Sequence, residues 1–137
     1  HEYFTKPYPK SLDRNDFKDI TVSDLSFGDA CATLTAMTVH GIAKSIEQCP
    51  SKPHKIYVTG GGRHNKTIMR TLEKTTHTPV YSVDDLGWNG DSLEAEGFAY
   101  LAIRSALRLP LTYPQTTNSP TPQTGGTLWR PNTQSHA

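Results

Sequence analysis

Three consecutive glycines, Gly60, Gly61 and Gly62, are the residues of this sequence whose spacing suggests chemistry most directly. They follow a short apolar run, "KIYVT" at 55–59, and precede a helix-like pattern that begins near Asn65. A strand that ends in glycines and continues into a helix places unpaired backbone N–H groups and the positive end of a helix at one point. Because glycines leave no Cβ between backbone and ligand, this junction suits a phosphate or a nucleotide.

The glycine motif alone has low specificity. The residues do not match G-x-G-x-x-G, and they lack the Lys-Ser/Thr ending of a P-loop. A tight strand-to-helix reversal that binds nothing is the alternative, and the motif by itself leaves both interpretations open.

Cysteines and histidines indicate neither a disulfide nor a metal site. Cys31 and Cys49 fall in a segment predicted to be one helix, 18 positions apart. At about 1.5 Å per residue they would lie roughly 27 Å apart, beyond the reach of a disulfide. This is compatible with a reducing compartment, and we expect a cytoplasmic protein. The six histidines show no metal-ligand spacing with one another or with cysteine, so we expect no structural zinc.

Composition points to one domain, or one lobe of a larger protein. The chain has 137 residues, 34% of them hydrophobic, with a mean hydropathy of −0.57, which predicts a thin core. The net charge of +1 gives no reason to expect nucleic acid or an anionic membrane as a partner. No apolar stretch approaches the roughly 18 residues of a transmembrane helix, and no signal peptide is recognised, so we expect a soluble protein.

Periodicity predicts alternating helices and strands. Apolar residues recur at helical intervals from 28 to 49, with Ser26 or Asp29 as the cap. Further elements are predicted as a strand at 55–59, a helix at 65–75, a strand around 79–83, a loop at 84–91 and a helix at 92–108. This order predicts an α/β layer structure with neighbouring parallel strands. Because two short strands alone make a marginal sheet, we expect the remaining strands to lie elsewhere.

The helix predicted at 92–108 has the strongest pattern in the chain. Acidic residues lie near its start and arginines near its end, which complements the helix dipole. Its apolar stripe consists of Ala95, Phe98, Ala99, Leu101, Ala102, Ile103 and Ala106. After this first unit, 1–109, the composition becomes rich in proline and threonine. Residues 110–137 are therefore predicted to be a tail that lies over the body or is partly disordered.

Several segments, taken together, resemble the carboxy-terminal part of the anhydro-N-acetylmuramic acid kinase family. They are "PYPKSLDRNDF" (7–17), "YVTGGGRHN" (57–65), "GDSLEAEGFAYLAIRSALRLPLTYPQTT" (90–117) and "TGG" (124–126). Their order and spacing are similar to those of the family, and they span nearly the whole chain. The resemblance implies an incomplete ribonuclease-H-like lobe of the sugar kinase, Hsp70 and actin superfamily, in which two lobes close around ATP. It also implies ATP and Mg²⁺ as cofactors and 1,6-anhydro-N-acetylmuramic acid as substrate. Members open its anhydro ring with water and phosphorylate O6 in bacterial cell-wall recycling.

The resemblance assigns site residues by position. It places Gly60–Gly62 on the nucleotide side of the cleft, with Arg63 and Asn65 bordering the same loop. It matches Glu94 to a carboxylate that contacts the sugar, and a carboxylate accepts strong hydrogen bonds from hydroxyl groups. Read without the resemblance, Glu94 could instead complete a capping box with Asp91 as the cap.

The resemblance also implies that parts of the site are missing. The amino-terminal lobe of the family, with its first phosphate-binding loop and its general-base aspartate, has no counterpart in this sequence. Asp84, Asp85 and Asp91 match no such base, so no catalytic residue is predicted. Since phosphoryl transfer needs positioning and charge neutralisation from several directions, we expect this polypeptide alone to be inactive. Its expected partners are the missing lobe and, as in other members, a second copy in a homodimer. A nucleotide-binding module that needs a separate partner chain and a non-catalytic interaction protein are the alternatives.

Overall fold

The computed structural model describes residues 1–18 and 20–129 and is an α/β arrangement. Its strands are β1 (Ile56–Val58) and β2 (Val80–Ser82), and its helices are α1 (Phe27–Glu47), α2 (Lys66–Thr76), α3 (Leu93–Ala106) and α4 (Pro114–Thr117). Short 3-10 turns occupy Glu2–Thr5, Arg14–Phe17, Gly61–His64 and Val83–Leu86. Within the described ranges, the helices are too short or too polar for any of them to cross a bilayer.

The two strands form a parallel pair, as predicted. Ile56 lies opposite Val80 and Val58 opposite Ser82, and α2 is the connection between the strands. Each strand is three residues long. The carboxyl ends of both strands therefore lie at the same edge of the sheet, from which the glycine turn and the 84–91 loop leave.

The core lies where α1 packs against α2 and where α2 packs against β2. Its buried side chains are Val39 and Ala43 of α1, Leu72 of α2, and Val83 directly after β2. These few residues agree with the thin core expected from composition. They are enough to fix the orientation of α2, whose amino-terminal end is part of the candidate site.

The amino-terminal end of α1 is capped by the first of the two predicted residues. The Ser26 hydroxyl accepts a hydrogen bond from the Asp29 amide at 3.2 Å and donates one to the Asp29 carboxylate at 2.7 Å. The first of these bonds satisfies one of the N–H groups that a helix start leaves unpaired.

The carboxyl end of α1 comes earlier than predicted. The helix ends at Glu47 with Gln48 as its C-cap, so the prediction that both cysteines lie on one helix is wrong for Cys49. Pro50 cannot continue a helix and disfavours helical geometry in the residue before it. Cys31 and Cys49 are both free and exposed.

Most of the apolar stripe predicted for α3 faces solvent. Phe98 is 65% exposed and Ile103 is 60% exposed, and no residue of α3 is buried. The carboxy-terminal half of the helix contacts the segment that follows it. Arg104 Nε donates to the carbonyl oxygen of Pro110 at 2.7 Å, and Ser105 Oγ donates to that of Gly125 at 2.5 Å. Residues 130–137 of the predicted tail lie outside the described residues.

Candidate functional site

The glycine turn, Gly60–Gly62, begins two residues after the end of β1. Gly60 has φ of +70°, a backbone conformation that residues with a side chain rarely adopt. A 3-10 turn at Gly61–His64 then leads to Asn65, the N-cap of α2. The strand therefore reverses into the helix within a few residues, as the sequence predicts.

The outer side of the glycine turn is open. A Cβ built on Gly61 or on Gly62 meets no other atom within 4 Å. Among the described residues, neither of their amide N–H groups has a hydrogen-bond acceptor. Two backbone donors and uncovered space thus lie together at the carboxyl edge of the sheet, where open α/β sheets bind ligands.

Asn65 caps the helix that follows the turn, as predicted. Its side-chain oxygen accepts hydrogen bonds from the amides of Thr67 and Ile68, at 3.0 and 3.1 Å. The cap fixes the first turn of α2 and orients the remaining NH₂ group of Asn65. Asn65 is itself exposed, so its side chain is accessible to solvent.

A groove between α1 and α2 adjoins Asn65. Its volume is about 360 Å³, which lies within the roughly 300–1,000 Å³ of small-molecule sites. Small side chains form most of its wall, so the space between the helices stays open. The lining residues are Cys31, Ala32, Thr35, Ala36, Asn65, Thr67 and Thr71.

Arg63 lies beneath the glycine turn and binds two carboxylates. Its Nε donates to Asp84 at 2.7 Å and its Nη1 to Asp91 at 2.7 Å, while Nη1 also donates to the carbonyl oxygen of Gly60 at 3.0 Å. The arginine side chain is only 4% exposed. The hydrogen bonds that Arg63 donates to Asp91 and Asp84 raise its pKa further above its already high value, so the guanidinium stays charged.

Asp84 connects this arginine to the loop at 84–91. The Ser82 hydroxyl, the Arg63 guanidinium and the Gly90 amide all donate to its carboxylate and hold its pKa well below the usual range. Asp91 is also held below its usual pKa, chiefly by Arg63. Both carboxylates are therefore ionised at neutral pH, and both accept a hydrogen bond from Arg63, Asp84 through Oδ2 and Asp91 through Oδ1.

Gly90 completes the contact between the two loops. Its carbonyl oxygen accepts a hydrogen bond from the Gly60 amide at 3.0 Å and one from the Thr59 hydroxyl at 3.2 Å. Its own amide donates to Asp84 at 3.0 Å. The glycine turn and the 84–91 loop are thus joined by backbone as well as by side chains.

Glu94 lies in the first turn of α3 and is exposed. The capping alternative for this residue is wrong, because the N-cap of α3 is Ser92 and the carboxylate of Asp91 binds Arg63. The Ser92 hydroxyl donates to Glu96 at 2.7 Å instead. In the part of the chain that the structure describes, the Glu94 carboxylate makes no side-chain hydrogen bond, so it is accessible to a ligand.

Comparison with models of known protein families shows which family this chain belongs to. Residues 1–131 match the family model described as anhydro-N-acetylmuramic acid kinase. The chain belongs to the anhydro-N-acetylmuramic acid kinase family. The resemblance seen in the ordered sequence segments is therefore confirmed.

Curated relatives carry the same family name. The anhydro-N-acetylmuramic acid kinase of Rhodospirillum rubrum is 49% identical over 94% of this chain, and that of Caulobacter vibrioides is 50% identical over 92%. The Zymomonas mobilis protein of that name is 47% identical over 93% of the chain. These matches cover 34%, 34% and 35% of the respective relatives, so the chain spans about a third of their length.

Sequence reasoning missed the partners of Arg63 in this member of the family. It noted Asp84 and Asp91 as carboxylates in or beside a loop, and Asp91 also as a possible helix cap, and it assigned nothing to Gly90. A usable signal was present, because the carboxyl ends of parallel strands meet at one edge. A cation just after β1 and acidic residues just after β2 are therefore expected to meet. Among the described residues, no group of three or more His, Cys, Asp or Glu side chains is arranged to hold a metal ion.

Proposed function

We propose that this chain is the nucleotide-binding part of a cytoplasmic ATP-dependent kinase that acts on 1,6-anhydro-N-acetylmuramic acid. The intact enzyme would consume ATP and water, open the anhydro ring and yield N-acetylmuramic acid 6-phosphate and ADP, a step in the recycling of cell-wall sugars. The observation that carries this proposal is the open glycine turn at the end of β1, in a chain that matches the family over residues 1–131.

In this proposal the glycine turn binds the phosphates or the ribose of ATP. The amides of Gly61 and Gly62 donate to anionic or hydroxyl oxygens, and the absence of Cβ atoms lets the backbone approach them closely. The NH₂ group of Asn65 supplies one more donor beside the turn. The groove between α1 and α2 continues from Asn65 and receives the nucleoside end of the ligand against its small side chains.

The described residues do not form a Mg²⁺ site of their own. Mg²⁺ in kinases is bound through one or two carboxylates together with the phosphates of the substrate. The carboxylates nearest the glycine turn, Asp84 and Asp91, are both engaged with Arg63. We therefore assign any carboxylate ligand of Mg²⁺ to the part of the enzyme outside this chain.

Glu94 is the residue of this chain that we assign to the sugar. Its carboxylate has no intramolecular partner among the described side chains, and it lies at the start of α3, three residues after Asp91. Charge-assisted hydrogen bonds from sugar hydroxyls to Glu94 would hold the substrate, and Glu94 would take no part in proton or phosphoryl transfer. Catalytic proton transfer belongs to the rest of the enzyme, so this chain by itself would be inactive.

The exposed face of α3 supports a larger architecture. Phe98 and Ile103 of α3 and its C-cap Leu107 are each at least 60% exposed, and no residue of α3 is buried. An exposed apolar surface of this kind is unusual for a complete domain. We propose that the part of the enzyme outside this chain packs against this face of α3, in a two-lobed fold of the actin and sugar-kinase type. Pairing of two copies across this face is the other outcome, and sedimentation of the full-length protein distinguishes the two.

Cys31 allows the nucleotide site to be tested directly. This thiol is exposed and lines the groove beside Asn65, whereas Cys49 is exposed outside it. In the full-length protein, ATP with Mg²⁺ is expected to slow alkylation of Cys31 and to leave that of Cys49 unchanged. Mass spectrometry of the modified peptides measures both rates in one sample, so Cys49 serves as an internal control.

Product analysis tests the reaction itself. Full-length protein, ATP, Mg²⁺ and the anhydro sugar are expected to give a sugar phosphate whose mass exceeds that of the substrate by HPO₃ plus one water. Protection of Cys31 without sugar phosphate would favour a nucleotide-binding module. Equal rates of Cys31 alkylation with and without ATP would show that the nucleotide does not bind in the groove.

A further inference from the structure

The charged group beneath the glycine turn serves two loops at once. Arg63 Nε donates to Asp84 at 2.7 Å, while Nη1 donates both to Asp91 at 2.7 Å and to the Gly60 carbonyl oxygen at 3.0 Å. Asp84 belongs to the turn after β2, and Asp91 lies two residues before the first residue of α3. Arg63 therefore links the backbone of the nucleotide turn to the helix start that carries Glu94.

The side chain of Arg63 occupies the space that a side chain at position 90 would need. A Cβ on Gly90 would lie 2.5 Å from Nε and 2.8 Å from Cδ of Arg63. Such distances are not tolerated by real atoms, so any side chain at position 90 displaces the arginine. The absence of a side chain at Gly90 is thus a requirement of the Arg63 contacts, since Gly90 makes its own bonds through its backbone.

The geometry does not suit direct contact between Arg63 and a phosphate. Its side chain is 4% exposed, and both Nε and Nη1 are already used by carboxylates. The net charge of the cluster formed by Arg63, Asp84 and Asp91 is negative, which does not attract an anion. His64 Nε2 lies 3.8 Å from Asp91 and is the other cationic group that faces the cluster when protonated.

We propose that Arg63 is a positioning residue for both substrates, holding the glycine turn through Asp84 and Gly60 and the start of α3 through Asp91. This inference rests on the proposed function, because it assigns the two ends of the cluster to ATP and to the sugar. The ion pairs of Arg63 with Asp84 and with Asp91 can be removed one at a time, and we call them the Asp84 arm and the Asp91 arm. Loss of the Asp84 arm releases the turn that binds ATP, whereas loss of the Asp91 arm releases the helix start that carries Glu94.

Steady-state kinetics of the full-length enzyme with both substrates varied separates these arms. Misplacement of a binding group by about 1 Å costs up to a hundredfold, so changes of roughly tenfold in KM are expected. Asp84→Asn is expected to raise KM for ATP, and Asp91→Asn to raise KM for the sugar, each with the other KM within about twofold. Arg63→Lys and Gly90→Ala are expected to raise both, with kcat less affected.

Arg63→Lys also separates positioning from direct contact. Lysine keeps the charge but cannot bridge two carboxylates with a planar fork. If Arg63 touched the phosphates, the lysine variant would retain KM for ATP or raise it alone, and either result would overturn the proposal. Arg70→Lys, on the exposed side of α2, is the matched control and should leave both KM values unchanged.

Thermal melting of each variant shows whether it is folded, and it is the control for these kinetic measurements. Asp91 is 72% exposed, so Asp91→Asn is the variant that decides the matter if Arg63→Lys does not fold. Unchanged sugar KM in folded Asp91→Asn overturns the proposal while leaving the kinase function intact. A wild-type enzyme that neither binds ATP nor phosphorylates the sugar overturns both.

Discussion

The amide of Gly60 donates to the carbonyl oxygen of Gly90 at 3.0 Å, joining backbone segments 30 residues apart. This bond connects the turn after β1 with the loop after β2, and Arg63 closes the same junction through side chains. The inner side of the glycine turn is therefore held by the protein, while its outer side is open. Substitutions on the two sides are expected to have different consequences.

Gly61→Ala tests the outer side. A methyl group there meets nothing within 4 Å in the described structure, so thermal stability is expected to stay close to that of the wild type. The same methyl group stands between the backbone amides and the ligand, and KM for ATP is expected to rise about tenfold or more. Kinetics and melting of the full-length enzyme measure both effects.

Gly28→Ala is the matched control for Gly61→Ala. Gly28 lies in the first turn of α1, and a Cβ there also meets no atom within 4 Å. It should leave KM unchanged and should leave melting unchanged or slightly raised, because alanine favours a helix more than glycine does. Equal KM for ATP in the Gly61→Ala and wild-type enzymes would contradict the assignment of this turn to the nucleotide.

Asn65 combines a structural contact with a proposed ligand contact, and two substitutions separate them. Asn65→Ala removes the cap of α2 and is expected to destabilise the protein by about 1 kcal/mol. Asn65→Asp keeps an acceptor for the amides of Thr67 and Ile68, so stability is retained. The new carboxylate repels the ATP phosphates, and KM for ATP is expected to rise. An aspartate variant with wild-type KM for ATP would remove Asn65 from the nucleotide site.

Glu94→Gln tests the sugar contact. Since Glu94 makes no side-chain hydrogen bond among the described residues, stability should be unaffected. Charge-assisted bonds are roughly twice as strong as neutral ones, so KM for the sugar is expected to rise about tenfold, with KM for ATP unchanged. Glu96→Gln, two positions along the same helix start and bonded to Ser92, is the carboxylate control. Equal effects from the two substitutions would indicate a general influence of charge at the start of α3.

The junction between the loops is expected to open in acid. The pKa of Asp84 is lowered in the folded protein, so its stabilising contribution is complete above the unfolded carboxyl pKa of about 3.9. As the pH falls below that value toward the folded pKa, this contribution is lost, while Arg63 stays charged. Protonation releases the 84–91 loop from the glycine turn.

Trp88 lies within that loop and reports the acid transition. In a variant with Trp88 as the sole tryptophan, fluorescence should remain constant from pH 7 to about 4 and change only well below that pH, because the pKa of Asp84 is lowered in the folded protein. The Asp84→Asn variant lacks the titrating group and should show no transition of this kind. A transition centred near neutral pH would assign the opening to a different residue.

Local signals in the sequence were sufficient for the elements but not for their contacts. The caps at Ser26 and Asn65 and the parallel pairing of β1 with β2 were predictable, because capping and strand order depend on neighbouring residues. The bonds from Arg63 to Asp84 and Asp91 span 21 and 28 residues. They follow from the parallel order of the strands, which brings the ends of β1 and β2 to one edge, but the pattern of each element taken alone does not show them.

The site was predictable to a similar extent. Pattern and resemblance selected the glycine turn and Glu94, and both are open to solvent in the structure. Neither could show that Arg63 faces inward, because the same residue type serves equally as a phosphate ligand. The exposed stripe of α3 was hidden for another reason, since a helix pattern identifies an apolar face but not what covers it.

The two-stranded sheet has a consequence for handling this polypeptide. In the described residues β1 and β2 pair only with each other, so each strand keeps one lateral row of backbone donors and acceptors unfilled. Such rows act as templates onto which any extended peptide can add. At high concentration, a polypeptide of this sequence without further strands is therefore expected to self-associate through these edges, although weakly, because each strand is only three residues long.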